Sequence, residues 1–303
     1  MSRLTIAIPT FRRPEDLKRA VGGVLEQASE LAAGPTTEAS GPRTDAEAGT
    51  EDDAAGATDA KGGAGEDVSD IEVLVIDNDA QGSGREAALA AAADAGVPVR
   101  FPADASVESG GMSVRYVVEE RPGVAAVRNR ALDETAERDL LIFIDDDEDP
   151  EPGWLAALVG LWASTGCQAV AGPVIPVYEV EPEEWVRQGE FFVRRTWPTG
   201  TVRPVAASNC LLLDLGFVRR AGLRFDEAFG ATGGEDTLFT RRLSAAGGVI
   251  RWCDEARVRD HVPASRLTRP WILRRQRSHA ATSVRVELAL AGGGVQPAIR
   301  ARA

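Results

Sequence analysis

Histidine and cysteine are scarce in this chain. Its 303 residues include two histidines and three cysteines. Cys167, Cys210 and Cys253 lie far apart and form no C-x-x-C pair, which excludes a zinc ribbon and a disulfide framework. Scattered thiols of this kind suit small core positions in a reducing cytoplasm. The H-E-x-x-H of a metalloprotease is missing, and so is the G-x-x-x-x-G-K-[ST] of a P-loop protein. Gly62-Gly63 and Gly82-Ser83-Gly84 do not follow a strand as a dinucleotide fingerprint requires. After the first apolar run stands Pro9-Thr10-Phe11-Arg12-Arg13, with no glycine, where a nucleotidyltransferase would carry a Gly-rich basic loop. No apolar run approaches the ~20 residues that span a bilayer, and the N-terminus leads straight into a strand with no signal pattern. The expectation is a cytoplasmic protein, soluble or peripheral at the inner face of the plasma membrane. Positive charge is lacking too. A net charge of −13 argues against nucleic acid as a partner, because binding phosphate backbones needs a basic surface.

That acidity is concentrated. Residues 29–68 hold ten acids against Arg43 and Lys61, a net −8, so the rest of the chain carries −5. The segment is Ala, Gly, Thr, Asp and Glu with almost no large apolar residue. It cannot bury enough surface to offset its ordering entropy, and it reads as a disordered insertion.

Apolar residues make up 44% of the chain, enough for a substantial core. Buried strands are expected at residues 4–9, 71–76, 114–118 and 140–144, alternating with helices from Pro14, over 87–93, over 124–132 and from Pro152. This βαβ rhythm predicts an α/β fold with a mostly parallel central sheet flanked by helices, and ligands beyond the strands' carboxyl ends. Residues 169–177 and 208–214 read as further strands and 235–246 as a helix closed by Gly247. The expected division is a catalytic domain over residues 1–260 and a basic helical C-terminal extension over 261–303.

Three patches carry chemistry. In the first, Asp145, Asp146, Asp147, Glu148 and Asp149 follow a buried strand directly. Carboxylates crowded there repel one another unless a cation relieves them, and a divalent ion with oxygen preference would do so. The same residues would also serve as a solvated acidic turn before the Pro152 helix. In the second, Thr232-Gly233-Gly234-Glu235-Asp236 opens a helix. The glycines permit close backbone approach, and a carboxylate there could take a proton or simply cap the helix. In the third, Arg128 and Asn129 sit in a helix that opens at Gly123, within reach of phosphate or of the carboxylate cluster.

In their order, IAIPTFRRP, VLVIDN, RPGVAAVRNRAL, LLIFIDDDE and GGEDTLFTRRL resemble the family 2 glycosyltransferases with the A-type nucleotide-sugar-binding fold. The match spans about residues 3–247, and WCDEARVRDHVPASRLT extends it toward the succinoglycan-biosynthesis branch. The resemblance implies inverting transfer of a sugar from a nucleotide diphosphate donor, with UDP favoured. The acceptor would be a saccharide or lipid-linked saccharide in surface polysaccharide or glycolipid synthesis. It implies Pro9, Thr10, Arg13, Asp77, Arg128, Asp145 and Asp146 at the donor, with Asp77 holding the base. Asp145 and Asp147 would bind Mg²⁺ or Mn²⁺, with His261 as a third ligand. Asp236 would be the base, with Glu235 beside it. The chain departs from the family pattern in the long insertion and at Asn78, where the family usually has an acid. A catalytically inactive sugar-nucleotide-binding or assembly protein is the alternative.

Between His261 and Val286 there is no acid, while Arg266, Arg269, Arg274, Arg275, Arg277 and Arg285 surround Trp271, Ile272 and Leu273. Such a helix suits an anionic membrane surface or a lipid pyrophosphate, and equally a helix packed on the catalytic domain. His279 receives no role.

Overall fold

The computed structural model describes residues 2–33, 68–101, 111–230 and 232–291. Its first half is a run of strand–helix units: β1 (Ser2–Thr10), α1 (Pro14–Ala33), β2 (Val68–Asp77), α2 (Arg85–Asp94), β3 (Val99–Arg100), β4 (Gly111–Val118), α3 (Val124–Glu134) and β5 (Leu140–Ile144). The second half is less regular. It comprises β6 (Glu148–Pro150), α4 (Trp154–Thr165), β7 (Ala169–Ala171), β8 (Val174–Tyr178), α5 (Glu184–Gln188), β9 (Val202–Arg203), β10 (Cys210–Asp214), α6 (Leu215–Arg220), α7 (Glu235–Ala245), β11 (Ile250–Trp252), β12 (Val258–Val262) and α8 (Arg269–Leu290).

One nine-stranded sheet runs β3-β4-β2-β1-β5-β10-β7-β11-β9. The first five strands are parallel; β10 is antiparallel to both neighbours. The central strand β5, LLIFI, reads as an unbroken apolar run because both of its faces are covered. Leu4, Ile6 and Ile8 of β1 pack with Leu140, Ile142 and Ile144 of β5 against α1 and α4. The alternate residues Ala7, Leu141 and Phe143 pack with Ala125, Val127 and Phe239 on the other face. Each fully buried Leu or Ile contributes on the order of 1.5–3 kcal/mol. Cys167, Cys210 and Cys253 are buried free thiols, as small core residues should be.

The chain turns outward in opposite directions from β1. The α1 crossover places β2 on one side, and the crossover through α3 places β5 on the other. A crevice therefore opens beyond the carboxyl ends of β1 and β5. A second, three-stranded sheet, β6-β12-β8, stands over it.

Three boundaries differ from the sequence expectation. The insertion expected at 29–68 is shorter, because 29–33 continue α1 and Val68 opens β2; its remaining residues, 34–67, lie outside the described residues. The strand expected at 169–177 divides at Gly172-Pro173 into β7 and β8, which join different sheets. The boundary expected at 260/261 falls inside β12. The C-terminal helix then packs back on the body through buried Ile272 and Val286, with Arg241 of α7 paired to Glu287 at 2.8 Å. It is a wall of the same unit, and no helix among the described residues is long and apolar enough to cross a membrane.

Candidate active site

A cavity of about 790 Å³ fills the crevice, lined from β1 by Pro9, Thr10 and Arg13 and from β5 by Asp145, Asp146, Asp147 and Glu148. Because β1 and β5 are neighbours in register, the turns that follow them meet. The Thr10 hydroxyl donates to Asp146 Oδ2 at 2.7 Å, and Arg13 bridges Asp146 Oδ1 at 3.1 Å and Asp147 Oδ2 at 2.9 Å. Asp147 Oδ2 also accepts from Arg266 at 3.2 Å, from the turn before α8. Glu148, fully inside, accepts from the Asn209 side chain just ahead of β10.

Positive charge does not fully neutralise this cluster. Burial pushes Asp146 up to about 6, against the pull of Thr10 and Arg13. Burial, then the neighbouring Asp147, raises Asp145 despite Arg128. Burial raises Glu148 well above the usual carboxylate range, with Asp145 adding to it. Acids crowded at the end of a buried strand behave this way when a cation they could share is not among the protein's own groups.

From α3, Arg128 reaches the cavity almost fully buried. One guanidinium nitrogen pairs with Glu235 at the start of α7, and another lies 3.6 Å from Asp145. Glu235 is itself buried, and burial raises its pKa. Next along α7, Asp236 is half-buried; its Oδ1 accepts from the Thr237 N–H at 2.6 Å. Its charge acts on Asp145, just after β5, and on Arg275 and His279 of α8, three groups that line the cavity, while Asp236 itself is not among the lining residues.

Two expected site residues face elsewhere. Asp77 is fully sealed. It accepts from the N–H groups of Asp79 at 2.9 Å and Gly84 at 2.7 Å and from the Tyr116 hydroxyl at 2.7 Å. Its carboxylate organises the turn after β2, and the neighbour that lines the cavity is Asn78. Asn78 donates to the Glu119 and Arg121 carbonyls at 2.7 Å and accepts from the Gly123 N–H at 2.9 Å. A carboxylate could not donate to two carbonyls, so this arrangement accounts for Asn78. His261 is the second. Along β12 and β6 side chains alternate, so Asp260 and Glu148 face inward while His261 meets Asp149 at 2.5 Å on the other side. The ring is thus not brought to Asp145 and Asp147. Among the described residues no group of three or more His, Cys, Asp or Glu forms a metal-binding set.

The residues that sequence reading missed lie on the far wall: Arg194, Asn209, Asp260, Arg266, Arg275 and His279. Trp271, Arg275 and His279 recur every four residues on one face of α8, a spacing already present in the sequence. Arg194 and Asn209 sit in irregular chain with no periodic signal.

The parallel sheet, the acid cluster at the end of β5 and the crevice beside it define an α/β protein of the A-type glycosyltransferase fold. Residues 64–212 match the family model "Glycosyl transferase family 2". Over 212 residues the chain is 33% identical to the succinoglycan biosynthesis protein ExoM of Rhizobium meliloti (strain 1021), covering 68% of this chain and 62% of that protein. The chain therefore belongs to glycosyltransferase family 2, on the succinoglycan-biosynthesis side of it, and spans under two thirds of that relative's length. Among solved structures, S. aureus TarS 1-349 in complex with UDP-GlcNAc superposes with a TM-score of 0.55 at 12% identity, covering 86% of this chain and 58% of that one. GalNAc-T7 with UDP, GalNAc and Mn²⁺ gives 0.55 at 14% identity, covering 86% and 44%. At such identities the likeness concerns the fold.

Proposed function

We propose that this chain transfers a glycosyl group, with inversion, from a UDP-sugar to a hydroxyl of a saccharide or lipid-linked saccharide acceptor, in the synthesis of a surface polysaccharide or glycolipid. One observation carries the reading. The crevice beyond β1 and β5 gathers Thr10, Arg13, Arg128 and the Asp145–Asp147 cluster, and Arg128 pairs with Glu235, the neighbour of Asp236 at the start of α7. The family membership and the ExoM relative support it.

A divalent cation fits this donor set. Asp145, Asp146 and Glu148 are under-compensated carboxylates, and Asp147 uses only Oδ2 on arginines. Asp145 and Asp147 would hold Mg²⁺ or Mn²⁺, which typically takes one or two carboxylates and completes its shell with substrate phosphate and water. When bound it would supply positive charge against the departing diphosphate. Arg13 would let go of Asp147 and turn toward phosphate. Pro9 and Thr10 would form the floor under the nucleotide. Among the described residues Asp236 makes its side-chain hydrogen bonds through Oδ1, and Oδ2 would accept the proton of the acceptor hydroxyl as it attacks the anomeric carbon from the opposite face. Glu235, sealed against Arg128, would position rather than react. The alternative, an inactive sugar-nucleotide binder, has no use for a poised Asp236. We further propose that the outward face of α8 rests on an anionic membrane surface.

Calorimetric titration with UDP, with and without Mn²⁺, tests the donor site in wild type and Asp147→Ala. Binding should need the metal and collapse in the variant. Binding of equal strength without metal, or none at all, would overturn the assignment. Asp236→Asn should still bind UDP while UDP release from the donor sugar onto acceptor stops; continued turnover would remove Asp236 as the base.

A further inference from the structure

Beside the aspartates, part of the cavity wall is cationic. Arg194 enters from the segment after α5, Arg266 from the turn before α8 and Arg275 from α8 itself, with His279 one turn further on. Their partners are few. Arg194 donates to Asn209 Oδ1 at 3.0 Å and stands 4.0 Å from Asp260 Oδ2. Arg266 divides its guanidinium between Asp147, at 3.2 Å, and the other oxygen of Asp260, at 3.9 Å. Arg275 has no carboxylate within 4.0 Å among the described residues and lies 5.8 Å from the Trp271 ring centroid. Asp260 is thus shared at long range by two arginines, and burial disfavours its own charge. Burial, then Arg194 and Arg266, lowers the Arg275 pKa, and burial, then Arg275 and Arg194, lowers that of His279. Guanidinium does not give up its proton in proteins, so like charges stay crowded against one wall. A multiply charged anion with several acceptor oxygens would relieve them through charge-assisted hydrogen bonds.

We propose that Arg194, Arg266 and Arg275 form a cradle for a phosphoryl group in the same cavity, beside Asp145–Asp147. The proposal rests on the glycosyl-transfer reading only for where that group comes from. The donor's diphosphate is one source and the phosphoryl group of a lipid-linked acceptor the other; the cradle's chemistry is the same for both.

Inorganic pyrophosphate is the probe, titrated calorimetrically into the full chain, first in chelator-treated buffer and then, for the UDP arms, in Mn²⁺ buffer with and without saturating UDP. The comparison is wild type, Arg275→Gln and Arg194→Gln. Arg275→Gln strands no carboxylate, and a thermal melt checks that each variant is folded. Pyrophosphate should bind wild type and lose about tenfold in affinity in each variant, the size of one charge-assisted hydrogen bond. If UDP blocks the probe, and the variants weaken UDP but not uridine, the donor fills the cradle. If the probe still binds beside UDP, and the variants leave UDP affinity unchanged, the acceptor fills it. No pyrophosphate binding, or equal binding to wild type and both variants, overturns the cradle. Arginine-dependent pyrophosphate binding without any UDP binding in the presence of Mn²⁺ would instead remove the glycosyl-transfer reading and leave the cradle standing.

Discussion

At the scale of single residues, the Arg128–Glu235 pair ties the donor cluster to the helix that carries Asp236. Both side chains are almost fully buried, and Arg128 Nε and Glu235 Oε2 have no hydrogen-bond partner among the described residues. Breaking such a pair leaves one charge stranded, at a cost of about 3–5 kcal/mol. Arg128→Met should therefore destabilise the protein by that order in denaturant unfolding. The pH dependence has a definite sign. Burial, with Asp236 beside it, raises the Glu235 pKa in the folded state, with Arg128 opposing. Removing Arg128 leaves the raising causes alone. A raised carboxyl pKa contributes stability below the unfolded value and loses it as pH climbs through the folded value. The deficit of Arg128→Met should thus shrink near pH 5 and grow toward pH 8, and a pH-independent deficit would contradict the account. Residue types pointed to Arg128, Glu235 and Asp236 before any coordinates did. The sealing of Asp77 was not legible, because it depends on Tyr116, 39 positions away on the next strand.

Between elements, α8 fits closely against the start of α7. Gly234 has φ +93°, and a Cβ there would lie 2.2 Å from Thr282 Cγ2 on α8. Nearby, the Thr282 hydroxyl donates to the Thr232 carbonyl at 3.0 Å. Gly234→Ala should combine backbone strain with displacement of α8, costing about 2–4 kcal/mol in chemical denaturation. It should also weaken ligand binding, since Arg275 and His279 line the cavity from that helix. A stability within 0.5 kcal/mol of wild type, an order-of-magnitude threshold for a neutral surface change, would mean that α8 does not seat there. Sequence located the glycines and suggested close backbone approach, but not what approaches. Long elements with strong periodicity were legible, from residues 4–9 through 140–144. Short ones such as β3, β6 and β9 were not, because two or three residues carry no period and owe their strand form to neighbours already in place.

For the whole molecule, the question is what α8 turns outward. Leu273, Val284 and Leu288 are 65%, 60% and 50% exposed, and their spacing puts them on one face together with Arg277, flanked by Arg274. Apolar side chains rimmed by arginines match a surface of anionic lipid. Arg274→Glu with Arg277→Glu should reduce cosedimentation with phosphatidylglycerol-containing vesicles relative to wild type, more so at low salt. Unchanged sedimentation would remove the membrane from this face. Arg275 is unsuited to that test because it belongs to the cavity.

Local order in the chain was enough to determine the α/β class, the parallel half of the sheet and the acid cluster at the carboxyl end of β5. These follow from apolar periodicity and from the cost of crowding carboxylates beside a buried strand, both properties of neighbouring residues. Tertiary structure alone decided which inward-facing groups meet. It turned His261 to Asp149, withdrew Asp77 into a turn, and brought Arg194, Arg266 and Arg275 into one cavity with Asp145–Asp147. Side-chain direction along β12 is set by pairing with β6, and the cationic wall is set by the return of α8 over the crevice. Contacts across more than a hundred residues have no local signature, so the chemistry of the second wall became readable only when the chain had closed on itself.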